Sequence, residues 1–114
     1  MSEYDELINS LITELKRGTL ILSVLSQLSK PEYGYSLAQK LEEKDMPIDA
    51  GTLYPLLRRL EKQKLLSSEW DTSESRPRKF YVLNDDGKAV FQSLKEEWQK
   101  LSGQLDILLK EEEP

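Results

Sequence analysis

Residues 51–83 read GTLYPLLRRLEKQKLLSSEW, DTSES and RPRKFYVL in succession, and they are the strongest indication of the fold. Its first part has four leucines at helical spacing, with Arg58 and Arg59 on other sides of the same helix. From Leu65 onward, apolar or aromatic residues alternate with polar ones on both sides of the loop-like residues 72–75. A helix followed at once by a hairpin with a charged tip predicts a winged helix-turn-helix.

The remainder of the chain reads as helices. Apolar residues repeat at helical spacing over residues 4–15 and again over 20–28, which predicts two helices or one helix with a bend at Gly18. A further helix is expected over residues 33–44. The central helix, which contains Arg58 and Arg59, has Asp49 or Thr52 as its expected N-cap. Pro55 favours the later start because proline is tolerated in a first turn.

The last helix, with Asn84 as its expected N-cap, has a regular seam of large apolar residues. They follow spacings of three and four and are Phe91, Leu94, Trp98, Leu101, Leu105 and Leu108. A repeat of this kind predicts packing against a second helix, so we expect a homodimer. The expected fold is mainly α with a small β-hairpin. Residues 1–83 would form a winged helix-turn-helix with an N-terminal helical arm, and residues 84–114 a dimerisation helix, in one compact unit.

Composition excludes most catalytic and metal chemistry. The 114 residues include no histidine and no cysteine, which rules out disulfides and thiolate metal sites. Adjacent carboxylates such as Asp85 and Asp86 diverge on a helix and have no nucleophile beside them. We therefore expect no enzyme, no catalytic residues, no metal and no cofactor. Without a signal peptide or an apolar run of about 18 residues, we expect no membrane partner and a cytoplasmic location.

The net charge of −5 is unevenly distributed. Residues 1–29 and 84–114 have net charges of −2 and −4, whereas residues 30–83 have ten basic and nine acidic residues, a net charge of +1. A phosphate responds to charges within a Debye length of about 8 Å. The acidic flanks therefore do not exclude double-stranded DNA as a partner, although binding should be strongly salt-dependent.

The predicted DNA contacts come from three places. Guanidinium groups match guanine edges and phosphates, and tyrosine hydroxyls at a helix N-terminus can bond a phosphate. The candidates are Thr52, Leu53, Tyr54 and Arg58 in the central helix, Arg76, Arg78 and Lys79 at the hairpin tip, and Tyr33 and Tyr35 at the preceding helix start. Solvated surface charge is the alternative interpretation of the central helix and of the hairpin tip. For Tyr33 and Tyr35 the alternative is that the rings pack the helix start onto the core. For the whole chain, the alternative is a winged-helix protein–protein adaptor that binds no DNA.

Trp98 stands apart from the other seam residues. Tryptophan is bulky for a tight helical interface, and two rings facing each other across a dimer could leave a slot for a flat aromatic ligand. Trp98 is therefore the candidate effector-binding residue.

Several motifs together resemble the PadR family of transcriptional regulators. They are Arg17-Gly18-Thr19-Leu20, Tyr33-Gly34-Tyr35, the stretch GTLYPLLRRLE over residues 51–61, Leu65-Leu66, Trp70, and RPRKFY over residues 76–81. The resemblance implies a winged-helix dimer on a pseudo-palindromic operator, usually a repressor relieved by a small molecule.

The single short C-terminal helix resembles the subgroup that includes a lactococcal multidrug-binding repressor. In that protein a tryptophan pair sandwiches flat aromatic drugs, and Trp98 matches that position in the seam. Lys64 departs from the family pattern, which commonly has glycine at the helix end. Because a left-handed lysine is strained, we expect the helix to end differently here.

Overall fold

The computed structural model describes residues 2–111, which form a mainly helical winged helix-turn-helix, as predicted. In chain order the elements are α1 (Glu3–Arg17), α2 (Leu20–Ser26), β1 (Glu32–Tyr33), α3 (Gly34–Glu43), α4 (Ala50–Lys62), β2 (Leu66–Asp71), β3 (Arg78–Leu83) and α5 (Asp85–Glu111). The N-terminal region therefore forms two helices, one of the two arrangements expected. No helix within these residues is both long and apolar enough to cross a membrane.

The predicted hairpin is the wing of the fold, and we use that name for β2, β3 and the turn between them. Leu66 pairs with Leu83 at its base and Asp71 with Arg78 at its outer end. The sequence did not predict β1, whose Glu32 and Tyr33 pair with Tyr81 and Phe80 to complete a sheet of order β1-β3-β2. Two residues are too few to show strand periodicity.

The core lies where α2, α3 and α4 meet the base of the wing. Its members are almost all leucines: Val24, Leu25, Leu28, Leu37, Leu41, Leu53, Leu56, Leu57, Leu60, Leu66, Tyr81 and Leu83. From α5, Phe91 and Leu94 pack against this core. These two seam residues therefore lie against their own chain, whereas Trp98, Leu101, Leu105 and Leu108 are between 41% and 61% exposed. Residues 112–114 of the predicted dimerisation helix lie outside the described residues.

The start of α4 corrects the sequence prediction. Asp49 is the N-cap, and its Oδ1 accepts a hydrogen bond from the Thr52 amide at 2.8 Å. The later start that Pro55 favoured is wrong, because the helix begins at Ala50 and Pro55 lies inside it. Proline has no N–H to give the carbonyl of Gly51, and that carbonyl lies on an exposed turn where water can replace the donor.

The end of α4 follows the usual glycine geometry even though the residue is lysine. Lys64 has a φ of 66°. Its amide donates to the Glu61 carbonyl at 2.9 Å, and the Leu65 amide donates to the Leu60 carbonyl at 3.0 Å. This pair of bonds is the Schellman motif. The expectation of a different helix end was therefore wrong, because the tertiary position of the wing outweighs the local cost of a left-handed lysine.

Replacing Lys64 with glycine should raise the free energy of unfolding. A left-handed conformation costs an L-residue about 1–2 kcal/mol, and glycine avoids this cost. Glycine also increases the conformational entropy of the unfolded chain, which offsets part of the gain in stability. We expect a net gain of roughly 0.5–1 kcal/mol, measured by denaturant unfolding. Lys62→Gly, inside the same helix, is the control and should lose about 1 kcal/mol. Equal losses in both variants would contradict this account of Lys64.

Candidate nucleic-acid interface

The exposed side of α4 faces away from the core. Leu53, Leu57 and Leu60 are fully buried, whereas Thr52, Arg58 and Arg59 lie on the exposed surface. The prediction that Leu53 contacts DNA is corrected, since a side chain with no accessible surface cannot touch a ligand outside the core. Its helical spacing with Leu56, Leu57 and Leu60 already indicated the buried position.

Tyr54 packs directly on the start of α3. A Cβ atom built on Gly34 would lie 2.3 Å from Tyr54 Cε1, so only glycine leaves room for the ring there. The half-buried ring is thereby held between α4 and the N-terminus of α3. The predicted contact residues on these two helices are consequently fixed relative to each other.

Tyr33, Tyr35 and Arg78 form a stack that joins α3 to the wing. The two tyrosine rings are nearly parallel, with centroids 5.6 Å apart. The Arg78 guanidinium lies 4.6 Å from the Tyr33 centroid, and its Nη1 donates to the Tyr35 hydroxyl at 2.7 Å. Arg78 Nη2 also lies 3.2 Å from Glu74 Oε1. The guanidinium is thus oriented by a cation–π contact, a hydrogen bond and an ion pair before any ligand binds.

Asp71 holds the same stack from the end of β2. The Tyr33 hydroxyl donates to Asp71 Oδ2, and the Ser73 hydroxyl and amide donate to Asp71 Oδ1. These bonds, Ser73 first and Tyr33 next, lower the pKa of Asp71 from 3.8 to about 2. The hydrogen bond to Asp71 in turn raises the pKa of Tyr33. Near neutral pH the pair is therefore an ionised carboxylate accepting from a neutral phenol.

Lys79 joins the wing to the end of α4. Its Nζ lies 2.8 Å from Glu61 Oε1, and the Ser68 hydroxyl donates to Glu61 Oε2. The Lys79 hydrogen bond, followed by the Ser68 bond, lowers the pKa of Glu61, while the bond to Glu61 raises the pKa of Lys79. Both groups are therefore charged near neutral pH, and the ion pair fixes the wing against α4.

The placement of the wing cations differs from the sequence prediction. Arg76 lies in the exposed turn, as expected, but Arg78 and Lys79 belong to β3 and not to the tip. The strand begins at Arg78 because that residue pairs with Asp71. The cluster of cations alone suggested the hairpin tip for these residues. The sequence analysis also missed Glu61 and Asp71, because their partners are distant in sequence.

Six of the predicted contact residues meet in one cleft between α4, the start of α3 and the wing. The cleft has a volume of about 400 Å³ and is lined by Tyr33, Gly34, Tyr35, Tyr54, Arg58, Trp70, Arg78, Lys79 and Tyr81. We call it the wing cleft. Trp70 and Tyr81 were not predicted as site residues. Aromatic rings and cations together suit the sugar–phosphate backbone of DNA. Thr52 and Arg76 lie outside the cleft, and Trp98 lies on α5.

Comparison with known proteins agrees with this geometry. Residues 21–93 match the transcriptional regulator PadR-like family. A PadR family transcriptional regulator from Eggerthella lenta is 48% identical, with 93% of this chain and 95% of that chain covered and a TM-score of 0.89. A PadR-like transcriptional regulator from Bacillus cereus is 30% identical, with coverage of 84% and 96% and a TM-score of 0.73.

Transcriptional regulator Rv3488 of Mycobacterium tuberculosis is 35% identical over 78 residues, which are 68% of this chain and 73% of that protein. These matches confirm the family resemblance and the prediction that the protein is not an enzyme. The chain belongs to the PadR-like family of transcriptional regulators, which bind DNA.

Proposed function

We propose that this protein is a homodimeric repressor that binds a pseudo-palindromic operator and is released by a small planar aromatic effector. Residues 1–83 would form the DNA-binding head and residues 84–114 the dimerisation helix. The observation that supports the proposal most strongly is the wing cleft, which brings six predicted contact residues together beside the exposed face of α4. Such a face fits a major groove about 12 Å wide.

In this proposal α4 enters the major groove. Thr52, Tyr54 and Arg58 approach base edges or nearby phosphates, while Arg76 in the wing turn reaches the neighbouring backbone. Tyr35, Arg78 and Lys79 bind phosphate at the wing cleft from positions already fixed by their internal contacts. Two heads in a symmetric dimer would occupy half-sites about 34 Å apart, one helical turn of DNA.

Apolar surface on α1 and α5 supports dimerisation. None of the α1 residues is buried, although Tyr4, Leu7, Ile8, Leu11, Ile12 and Leu15 are spaced for one helical face. An isolated helix of about 15 residues is only marginally stable in water, so this face needs a partner. Members of the family typically dimerise, and a second copy would cover α1 and the outer half of α5 with matching apolar surface.

Trp98 is the proposed effector site. It is 42% exposed on the part of α5 that extends beyond the core, next to the similarly exposed Leu101. With the rings of two copies facing each other, a planar ligand could insert between them. The ligand would change the tilt of α5 and hence the spacing of the heads. It could shift DNA binding only by its difference in affinity for the two arrangements.

The DNA interface is tested with single charge-neutralising variants. Arg76 and Arg58 are exposed and form no ion pair among the described residues, so Arg76→Gln and Arg58→Gln should leave the fold unchanged. A gel-shift series with the gene's own upstream DNA should show weaker binding and a log–log salt slope smaller by about 1 for each phosphate that is no longer neutralised. Lys110→Gln, near the far end of α5, is the charge-matched control. Slopes equal to that of the control would refute the assignment.

The effector site is tested by fluorescence. Planar aromatic dyes should quench the fluorescence of Trp98 and weaken DNA binding by a factor of roughly 5–150, the usual range for coupling between two sites. Trp70 is also exposed, so a Trp70→Phe background isolates the response of Trp98. A Trp98→Ala variant that remains dimeric and still binds the dye with unchanged affinity would rule out this site.

A further inference from the structure

A second cleft lies on the other flank of α4. It has a volume of about 650 Å³ and is bounded by the end of α1, the start of α2, the loop before α4, and α4 itself. Three cations lie around it: Lys16, Arg17 and Arg59. Arg59 lines this cleft together with Thr52 and Leu56, whereas Arg58 and Tyr54 line the wing cleft. The two adjacent arginines therefore point to opposite flanks of the same helix.

The charge of this second cleft is less compensated than that of the wing. Among the residues that the structure describes, Lys16, Arg17 and Arg59 form no ion pair, whereas Arg78 and Lys79 are paired with Glu74 and Glu61. The one carboxylate that lines the cleft is Asp49, whose Oδ1 already accepts from the Thr52 amide. Unpaired positive charge therefore lies on both flanks of α4, with Arg58 and Arg76 on the wing side and these three cations on the other.

The position of Lys16 and Arg17 is set by the joint between α1 and α2. The Thr19 amide and hydroxyl both donate to the Lys16 carbonyl, at 2.9 Å and 2.7 Å. Leu20 and Ile21, next along the chain, are partly buried against the core. The end of α1 is therefore held at the start of α2, and its cations line the same cleft as Arg59.

We infer that Lys16, Arg17 and Arg59 bind the DNA backbone on the flank of α4 opposite the wing. The inference rests on the proposed DNA-binding function. A helix with its side chains is about 10–12 Å across and a major groove about 12 Å wide, so a helix in the groove has a phosphate backbone on each side. The wing contacts the phosphate backbone on one side of the groove, and these three cations contact the backbone on the other side.

The experiment compares two triple variants of equal charge. Lys16→Gln/Arg17→Gln/Arg59→Gln removes the cluster, and Lys95→Gln/Lys100→Gln/Lys110→Gln removes three exposed cations from α5. Binding is measured between about 50 and 200 mM salt on the upstream DNA and on unrelated duplex. We expect the cluster variant to reduce the salt slope by roughly 2–3 per bound head on both DNAs, because phosphates bear no sequence information.

Three results would overturn the inference. They are an unchanged slope, an equal change in both triple variants, and loss of dimerisation in the cluster variant, which would assign the cleft to the partner chain. If the triple variant fails to fold, each single variant should still reduce the slope by about 0.9. Arg59→Lys keeps the charge and should retain the slope. Wild-type protein that lacks salt-dependent DNA binding would refute the proposed function itself, which separates the two failures.

Discussion

Replacing Gly87 with alanine is expected to lower the free energy of unfolding by roughly 3 kcal/mol, at the upper end of the usual cost of overpacking. A Cβ atom at this position would lie 2.1 Å from the Leu65 carbonyl oxygen and 3.0 Å from Leu83 Cδ2. The closer contact is a backbone atom at the entry to the wing, so relief requires the first turn of α5 to move away from the head.

The matched control for Gly87 lies in the same helix. A Cβ atom on Gly103 would meet no atom within 4 Å, so Gly103→Ala should gain about 1 kcal/mol from helix propensity. Both variants are compared by denaturant unfolding at one protein concentration. Similar stabilities for the two variants would show that α5 does not pack on the wing as closely as described.

The close packing at Gly87 is accompanied by hydrogen bonds that connect α5 to the end of α4. Asn84 Oδ1 accepts from the Gly87 amide at 2.8 Å, and Asn84 Nδ2 donates to the Lys64 carbonyl at 2.9 Å. One side chain therefore caps α5, as predicted, and binds the end of α4. Any tilt of α5 at this junction would be passed directly to α4, which is what the proposed effector mechanism needs.

Introducing a charge into the outer seam should separate the proposed dimer and cause the largest loss of DNA affinity. Leu105→Glu places a carboxylate on the exposed apolar face of α5, where it would be desolvated against the partner. In a dimer, binding of one head holds the second head at a high effective concentration near its half-site. A monomer lacks this effect, which raises the affinity for DNA by a factor of about 10²–10⁴. Sedimentation should give a monomer, and gel shift should show this weakening.

Gln104→Glu is the control for the seam variant because it adds the same charge at the preceding position, off the seam. It should remain dimeric and bind DNA with nearly unchanged affinity. If Leu105→Glu also remains dimeric and keeps its affinity, the seam is not the dimer interface.

The sequence predicted the elements whose signals are local. The leucine spacing of α4, the alternation in the wing and the Asn84 cap were interpreted correctly because each depends on neighbouring residues. The contacts that the sequence did not predict join residues that are distant along the chain. Tyr35 and Arg78 lie 43 positions apart, and Tyr33 and Asp71 lie 38 apart. No window of sequence shows that these pairs would meet, and β1 exists because of the same packing.

Predictions from neighbouring residues also failed where the packing of the whole fold determined the backbone conformation. Proline favoured a later start for α4, yet Asp49 caps the helix three residues earlier than Thr52 would. Lysine at position 64 argued against a left-handed helix end, yet the wing begins directly after it and requires that turn. In both cases the cost of the local conformation, about 1–3 kcal/mol, is smaller than that of displacing a buried element.

The mass of the protein–DNA complex distinguishes a dimer with two DNA-binding heads from a single head. Sedimentation of the wild-type protein with a short duplex from its upstream region, across a series of salt concentrations, reports both stoichiometry and salt slope. We predict two chains per operator and an affinity that falls steeply as salt rises. One chain per duplex would contradict the two-headed dimer. Absence of salt-dependent binding, with a protein partner held through α5, would instead identify an adaptor.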